Sequence, residues 1–338
     1  MKRILFLTAE QSLARLFWRD EYFELAEREG FSVDVPAWEH NIFRDQLEPA
    51  GYDALFTTWG SPMCDGEFLS HAPTVRFIGH LAGSTASVVD QTTFAAGVRV
   101  SSCNRLMAEH VAEWSLMMTL TATRNLLDNS SLGREHTLRF GQKLELPDPA
   151  HLTVGIWGLG AVGEALLRML APIRFQKLLV YSEHAAPETL AAFGADKAES
   201  LEQLFEASDV LHLLAGATRR NLGRINLPLL ERLRPGSTLI NAGRARLVDE
   251  SALLTVLKRG KIRAILDVFF QEPLPADDLL LRLPNVLCTP HNAGSPGIRA
   301  YAPFMLRECR RFWNNLPLEG EIEAARNLQM TDERLWKR

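Results

Sequence analysis

The chain has 338 residues, 46% of them hydrophobic and 23% charged, with a formal net charge of −4. At roughly 100–200 residues per domain this length calls for two domains, and the composition excludes disorder as the main state. Lys and Arg number 37 against 41 Asp and Glu, so no basic excess is available to neutralise nucleic-acid phosphates.

The first apolar run reads as a buried strand, Arg3–Thr8, because Glu10 ends it too early for a signal peptide. A helix over Ser12–Glu29 follows, stopped by Gly30, and then strands at Phe31–Val35, Ala54–Thr58, Val75–Leu81 and Val98–Ser101. A long helix runs from Leu106 to about Leu127, with an apolar surface wider than one packing face needs, which marks it as a candidate dimer interface. After a polar connector at Leu144–Ala150 the alternation resumes. Its strands are Leu152–Trp157, Lys177–Tyr181, Asp209–Leu214, Thr238–Asn241, Ile262–Val268 and Val286–Thr289, and a helical region, Ile298–Asn315, closes the series. Strands alternating with helices from end to end give an α/β fold with parallel sheets. No apolar stretch reaches the roughly 18–20 residues of a spanning helix, so no membrane partner is expected. Cys64, Cys103, Cys288 and Cys309 are scattered, with no CxxC pair and no histidine at ligand spacing. They read as reduced thiols of a cytoplasmic protein without a metal site. The doublet Arg219-Arg220 reads as solvated surface.

The most specific local motif is Gly158-Leu159-Gly160-Ala161-Val162-Gly163, a G-x-G-x-x-G turn between a buried strand and a helix. Gly158 permits the tight turn, Gly160 clears a path to a pyrophosphate and Gly163 lets helix and strand pack closely. The open N–H groups of the helix start then face the phosphates. The next strand ends at Ser182-Glu183, where an acidic side chain would hydrogen-bond a ribose 2′-OH. No Arg or Lys follows at once to grip a 2′-phosphate, so the reading leans to NAD and leaves NADP open.

Three later segments place polar residues at C-terminal strand ends, the edge where open parallel sheets bind ligands: Asn241 to Arg244, Asp267 to Glu272, and Thr289 to Gly294. An arginine suits a carboxylate in fork geometry, a histidine exchanges a proton with a carbonyl or hydroxyl oxygen, and a glutamate beside it stabilises the imidazolium. Arg246 competes with Arg244 by position.

These segments, together with His110-Val111-Ala112-Glu113, Leu239 to Leu253, Leu266 to Pro275 and Leu283 to Gly294, resemble the NAD-dependent D-2-hydroxyacid dehydrogenase family, which includes phosphoglycerate dehydrogenases and glyoxylate/hydroxypyruvate reductases. The resemblance implies a Rossmann-type doubly wound parallel sheet domain (residues 104–292) inserted into a flavodoxin-like α/β substrate domain (residues 1–103 and 293–338), hinge closure during catalysis, and a homodimer. It implies Arg244, Glu272 and His291 as the catalytic set. Ser84 and Thr85 would join Arg244 in holding a small 2-oxo or 2-hydroxy acid. Besides the glycine turn with Ala161 and Val162, it implies cofactor contacts from Ser182, Glu183, Leu214, Thr218, Ala242, Asp267 and Gly294, with Asp267 near the nicotinamide. The sequence departs from the family at Thr85, where a second glycine is usual, at Ala245 after Arg244, and at Leu214, where proline is common. A dinucleotide-sensing corepressor-like protein and a catalytically impaired relative are the alternatives.

Overall fold

The computed structural model describes residues 1–8, 10–36, 49–129 and 148–336, so residues 144–147 of the expected connector lie outside it. The chain divides into two compact units, Met1–Met107 with Ser295–Arg338, and Ala108–Gly294.

In the first unit, strands β1 (Lys2–Leu7), β2 (Phe31–Asp34), β3 (Ala54–Thr57), β4 (Phe77–His80) and β5 (Arg99–Ser102) form a parallel sheet in the order β2-β1-β3-β4-β5. That is the flavodoxin-like order. Both faces are covered, which is why Ile4 to Leu7 is a continuous apolar run rather than an alternating one. Ile4 and Phe6 face one core with Trp18, Phe56 and Tyr301; Leu5 and Leu7 face another with Leu55, Ile78 and Val100.

The expected single helix over Ser12–Glu29 is two helices, Gln11–Phe17 and Asp20–Arg28, separated by extended backbone at Trp18 and Arg19. Packing overrides helical periodicity there. Trp18 is fully buried, its ring centroid 5.9 Å from those of Phe6, Tyr22, Phe23 and Phe56. Asp20 and Glu21 then favour a fresh helix start by complementing its dipole. Near the chain end, helix Tyr301–Trp313 carries the fully buried Glu308, which accepts from Ser101 Oγ at 2.7 Å, Glu319 N at 3.0 Å and Gly320 N at 2.9 Å. Pro303 sits in the first turn of that helix, where its missing N–H costs nothing.

The second unit holds a seven-stranded parallel sheet, β12-β11-β10-β9-β6-β7-β8, the doubly wound Rossmann order extended by one edge strand. Its strands are β6 (Thr153–Trp157), β7 (Lys177–Tyr181), β8 (Ala195–Lys197), β9 (Val210–Leu213), β10 (Thr238–Asn241), β11 (Arg263–Leu266) and β12 (Val286–Cys288). The sequence pattern misses β8, a three-residue edge strand with Asp196 and Lys197 exposed and no apolar run to announce it. The order reverses between β6 and β9, so the ligand edge is the C-terminal end of those two strands. The long helix, Asn104–Thr123, ends before the left-handed Asn125. It buries Val111, Trp114 and Met118, and leaves Met117 and Leu120 exposed. Its Thr119 Oγ1 lies 2.8 Å from Nε2 of His212, a fully buried residue of β9 that burial holds down at about 3, hence neutral.

Candidate active site

Three neighbouring strands, β10, β11 and β12, end in the same direction, and each hands its polar residue to the edge. After β10, buried Asn241 shapes the turn: its Oδ1 accepts from Gly243 N at 3.1 Å and its Nδ2 donates to Arg244 O at 3.2 Å. Arg244 is thereby fixed by its backbone, and its Nη1 donates to Gly243 O at 2.8 Å. Arg246 is engaged elsewhere, stacked 5.0 Å from the Phe270 ring centroid and donating to Phe270 O at 3.3 Å.

After β11 comes Asp267, 1% exposed. Its Oδ1 accepts from Thr289 Oγ1 at 2.5 Å and Asn292 N at 3.1 Å, and its Oδ2 from Ala293 N at 3.0 Å. Both carboxylate oxygens therefore brace the loop after β12, the loop that carries His291. His291 itself sits at φ 50, in the left-handed region, with its N–H on Thr289 O at 2.9 Å. Such a conformation in a non-glycine residue needs surrounding contacts to hold it, and Asp267 supplies them. His291 Nδ1 lies 2.8 Å from Glu272 Oε2, while the other oxygen, Oε1, accepts from Phe269 N at 3.0 Å. Partial burial works to raise the Glu272 pKa. The His291 and Phe269 hydrogen bonds and the charges of His291 and Arg244 outweigh it, leaving the pKa below its ordinary value and the group ionised at neutral pH. An ionised acceptor at Oε2 assigns the proton to Nδ1 and turns Nε2 outward.

The glycine turn fits a dinucleotide. Gly158 has φ +104, and a Cβ there would meet Ala215 N at 2.5 Å; a Cβ on Gly163 would meet Gly158 O at 2.5 Å. Helix Ala161–Leu170 starts at Gly160 with no side-chain cap, and its first intrahelical bond is Glu164 N on Gly160 O, 2.9 Å. The amides of Ala161, Val162 and Gly163 precede the first intrahelical bond, the arrangement by which a helix start binds an anionic group. Leu214, tied by its N–H to Trp157 O at 2.8 Å, and Thr218, in the loop beyond it, continue that edge from β9. Ala242 and Gly294 are half-buried beside Arg244 and His291 in sequence.

At the end of β7, Arg220 is exposed, as a solvated surface cation is expected to be, and also pairs with Glu183 at 2.5 Å, while Arg224 reaches the other Glu183 oxygen at 3.3 Å. Neither arginine is adjacent to the strand in sequence, which is why a search just after Ser182 misses them. In the other unit, Ser84 is half-buried and Thr85 fully buried. Thr85 Oγ1 donates to Asn327 Oδ1 at 2.7 Å and Ser84 Oγ to Thr331 O at 2.6 Å. Trp59 is 37% exposed and edge-packed on Phe17, centroids 5.0 Å apart.

Residues 116–293 match the family model described as "D-isomer specific 2-hydroxyacid dehydrogenase, NAD binding domain". A glyoxylate/hydroxypyruvate reductase B of Pectobacterium carotovorum is 32% identical over 296 residues, covering 84% of each chain. The chain belongs to the D-isomer specific 2-hydroxyacid dehydrogenase family. A glyoxylate reductase of Korarchaeum cryptofilum is 28% identical over 285 residues, 80% of this chain and 85% of that one. Among solved structures, the NADPH-dependent glyoxylate/hydroxypyruvate reductase of Sinorhizobium meliloti, in complex with NADP and sulfate, superposes with a TM-score of 0.73 at 25% identity, covering 97% of this chain and 100% of that one. This dehydrogenase is accordingly an NAD(P)-dependent oxidoreductase built on a Rossmann domain and a second parallel-sheet domain. Among the described residues, no helix is long and apolar enough to cross a membrane.

Proposed function

We propose that the dehydrogenase reduces a short 2-oxo acid, of the class represented by glyoxylate and hydroxypyruvate, to the D-2-hydroxy acid. The observation that carries this reading is the His291–Glu272 pair at 2.8 Å, with the charge of Arg244 acting on the same carboxylate. When bound, the nicotinamide supplies the hydride. Arg244 holds the substrate carboxylate, and His291 acts as the imidazolium, keeping Nδ1–H on Glu272 while its second proton, on Nε2, goes to the carbonyl oxygen. Glu272 keeps the imidazole oriented and offsets its charge, and Asp267 holds the loop on which it stands. The main-chain amides of Ser84 and Thr85 donate to no protein acceptor among the described residues and are offered to a carboxylate. Residues 108–294 are read as the cofactor domain and residues 1–107 with 295–338 as the substrate domain. A homodimer is supported by an apolar groove in the Rossmann unit, where Met117, Leu120 and Leu126 are 52%, 43% and 52% exposed. A cytoplasmic location is supported by the buried thiols of Cys64, Cys103 and Cys309.

The test is oxidation of NADH and NADPH against glyoxylate, hydroxypyruvate, pyruvate, phenylpyruvate and branched 2-oxo acids. Turnover should be fastest with the first two, and His291→Ala should lower kcat by about 10²–10⁴. Cofactor binding without turnover on any of these acids would sink the reading.

A further inference from the structure

The cluster around Glu183 carries more charge than its strand-end position needs. Its carboxylate meets two guanidinium groups, Arg220 Nη1 at 2.5 Å and Arg224 Nη1 at 3.3 Å, so the local balance is positive. The two arginines differ. The Arg220 side chain is 70% exposed, and an ion pair that open to solvent holds weakly. Arg224 is 26% exposed and fixed from several sides. Its Nη2 donates to Tyr181 Oη at 3.2 Å, and its guanidinium lies 5.6 Å from the Tyr181 ring centroid and 6.0 Å from that of Trp157.

Its loop is equally defined, with Asn221 Nδ2 on Gly216 O at 2.8 Å and Gly223 N on Arg246 O at 2.8 Å. Trp157 and Tyr181 are the last residues of β6 and β7, so Arg224 stands at the sheet edge beside the glycine turn. That is where the adenosine ribose of a dinucleotide lies in this fold.

We propose that Arg220 and Arg224 form a 2′-phosphate site and make this enzyme select NADP(H) over NAD(H), with Glu183 occupying that site in the absence of dinucleotide. The proposal rests on the dehydrogenase reading above, since it takes the ribose to lie at the end of β7. A 2′-phosphate brings more charge and more acceptor oxygens to the two guanidinium groups than one solvent-exposed carboxylate does. Ser182, standing at the strand end in place of an acid, neither repels that phosphate nor fixes a free 2′-OH as a carboxylate would. For NAD(H), Glu183 must serve the 2′-OH while it is shared between two arginines.

Affinities of NADPH, NADH, adenosine 2′,5′-bisphosphate and 5′-AMP, measured by calorimetry on the full chain without substrate, decide the matter. The parent protein should prefer NADPH to NADH, and the bisphosphate to 5′-AMP, by about tenfold or more, with a preference that shrinks as salt is raised. Arg224→Ala should reduce that ratio by about tenfold, Arg224→Lys by less, and Glu183→Gln should increase it. Thermal melting of each variant reports folding. Tighter binding of NADH than NADPH, or an unchanged ratio in folded Arg224→Ala and Arg224→Lys, overturns the proposal while leaving the dehydrogenase reading in place. Failure of both dinucleotides to bind overturns both.

Discussion

Two loops leave C-terminal strand ends, one in each unit, and they are held in opposite ways. The loop after β12 is braced through its backbone. Asp267 spends both oxygens on Thr289, Asn292 and Ala293, and the His291 side chain is left outside. The loop after β4 is braced through its side chains, Ser84 to Thr331, Thr85 to Asn327 and Ser87 Oγ to the amide of Glu333, and the Ser84 and Thr85 amides donate to no acceptor among the described residues. In the proposed function His291 works through its side chain, and there the main chain is pinned; Ser84 and Thr85 work through main-chain amides, and there the side chains are pinned. Thr85 is thus more than a lost glycine: its hydroxyl is a strut to Asn327, itself 4% exposed.

Each brace can be removed. Asp267→Asn keeps the shape but loses the charge that serves two amides. Misplacing His291 should lower kcat by about 100-fold, with a stability loss of about 2 kcal/mol in urea denaturation. A stability loss with kcat unchanged would show that His291 keeps its place without the bracing charge. Asn327→Ala should act on the other loop, raising KM for the 2-oxo acid by about tenfold with a smaller change in kcat. Thr85→Ser, which keeps the hydroxyl, should stay near the parent. Equal effects on KM and kcat would mean that Asn327 serves stability rather than the amides.

The smallest effect concerns pH and compares the two units directly. Each sheet buries a neutral histidine beside a threonine, His80 with Thr57 at 2.9 Å and His212 with Thr119 at 2.8 Å. Burial holds His80 down at about 4, against opposing contributions from Glu333 and the Ser84 backbone, and His212 at about 3. Below the unfolded value of 6.5 the unfolded chain takes up protons that the folded chain refuses. Stability is therefore full above that pH and lost as pH falls towards 4 and 3. At pH 5.5 each histidine should cost roughly 1 kcal/mol. His212→Gln should flatten the dependence of the urea midpoint on pH by up to one proton. An unchanged slope would show that His212 takes up its proton in the folded state.

Much of the molecule is legible in consecutive residues. The strands Lys177–Tyr181 and Thr238–Asn241 fall where their apolar runs put them, because parallel strands covered on both faces must be continuously apolar. Gly158 and Gly163 mark their turn because no other residue fits a left-handed backbone or a sub-3 Å approach. Arg244, Glu272 and His291 are found through strand-end segments whose order along the chain is the order of β10, β11 and β12.

Other features depend on residues that meet only in the folded chain. Trp18 breaks a helix that periodicity would have continued, because four aromatic rings from three elements, two strands and the helix Asp20–Arg28, receive it. Arg220 and Arg224 stand 37 and 41 positions from Glu183, and Thr85 stands 242 from Asn327. The sequence by itself determined the alternation of most strands and helices, the glycine turn and the residue types of the His291–Glu272 pair, all set by local sterics and periodicity. Which carboxylate braces a loop, which one faces a histidine and which cations reach Glu183 was decided by tertiary structure alone, since electrostatic and hydrogen-bond partners are chosen by distance in space.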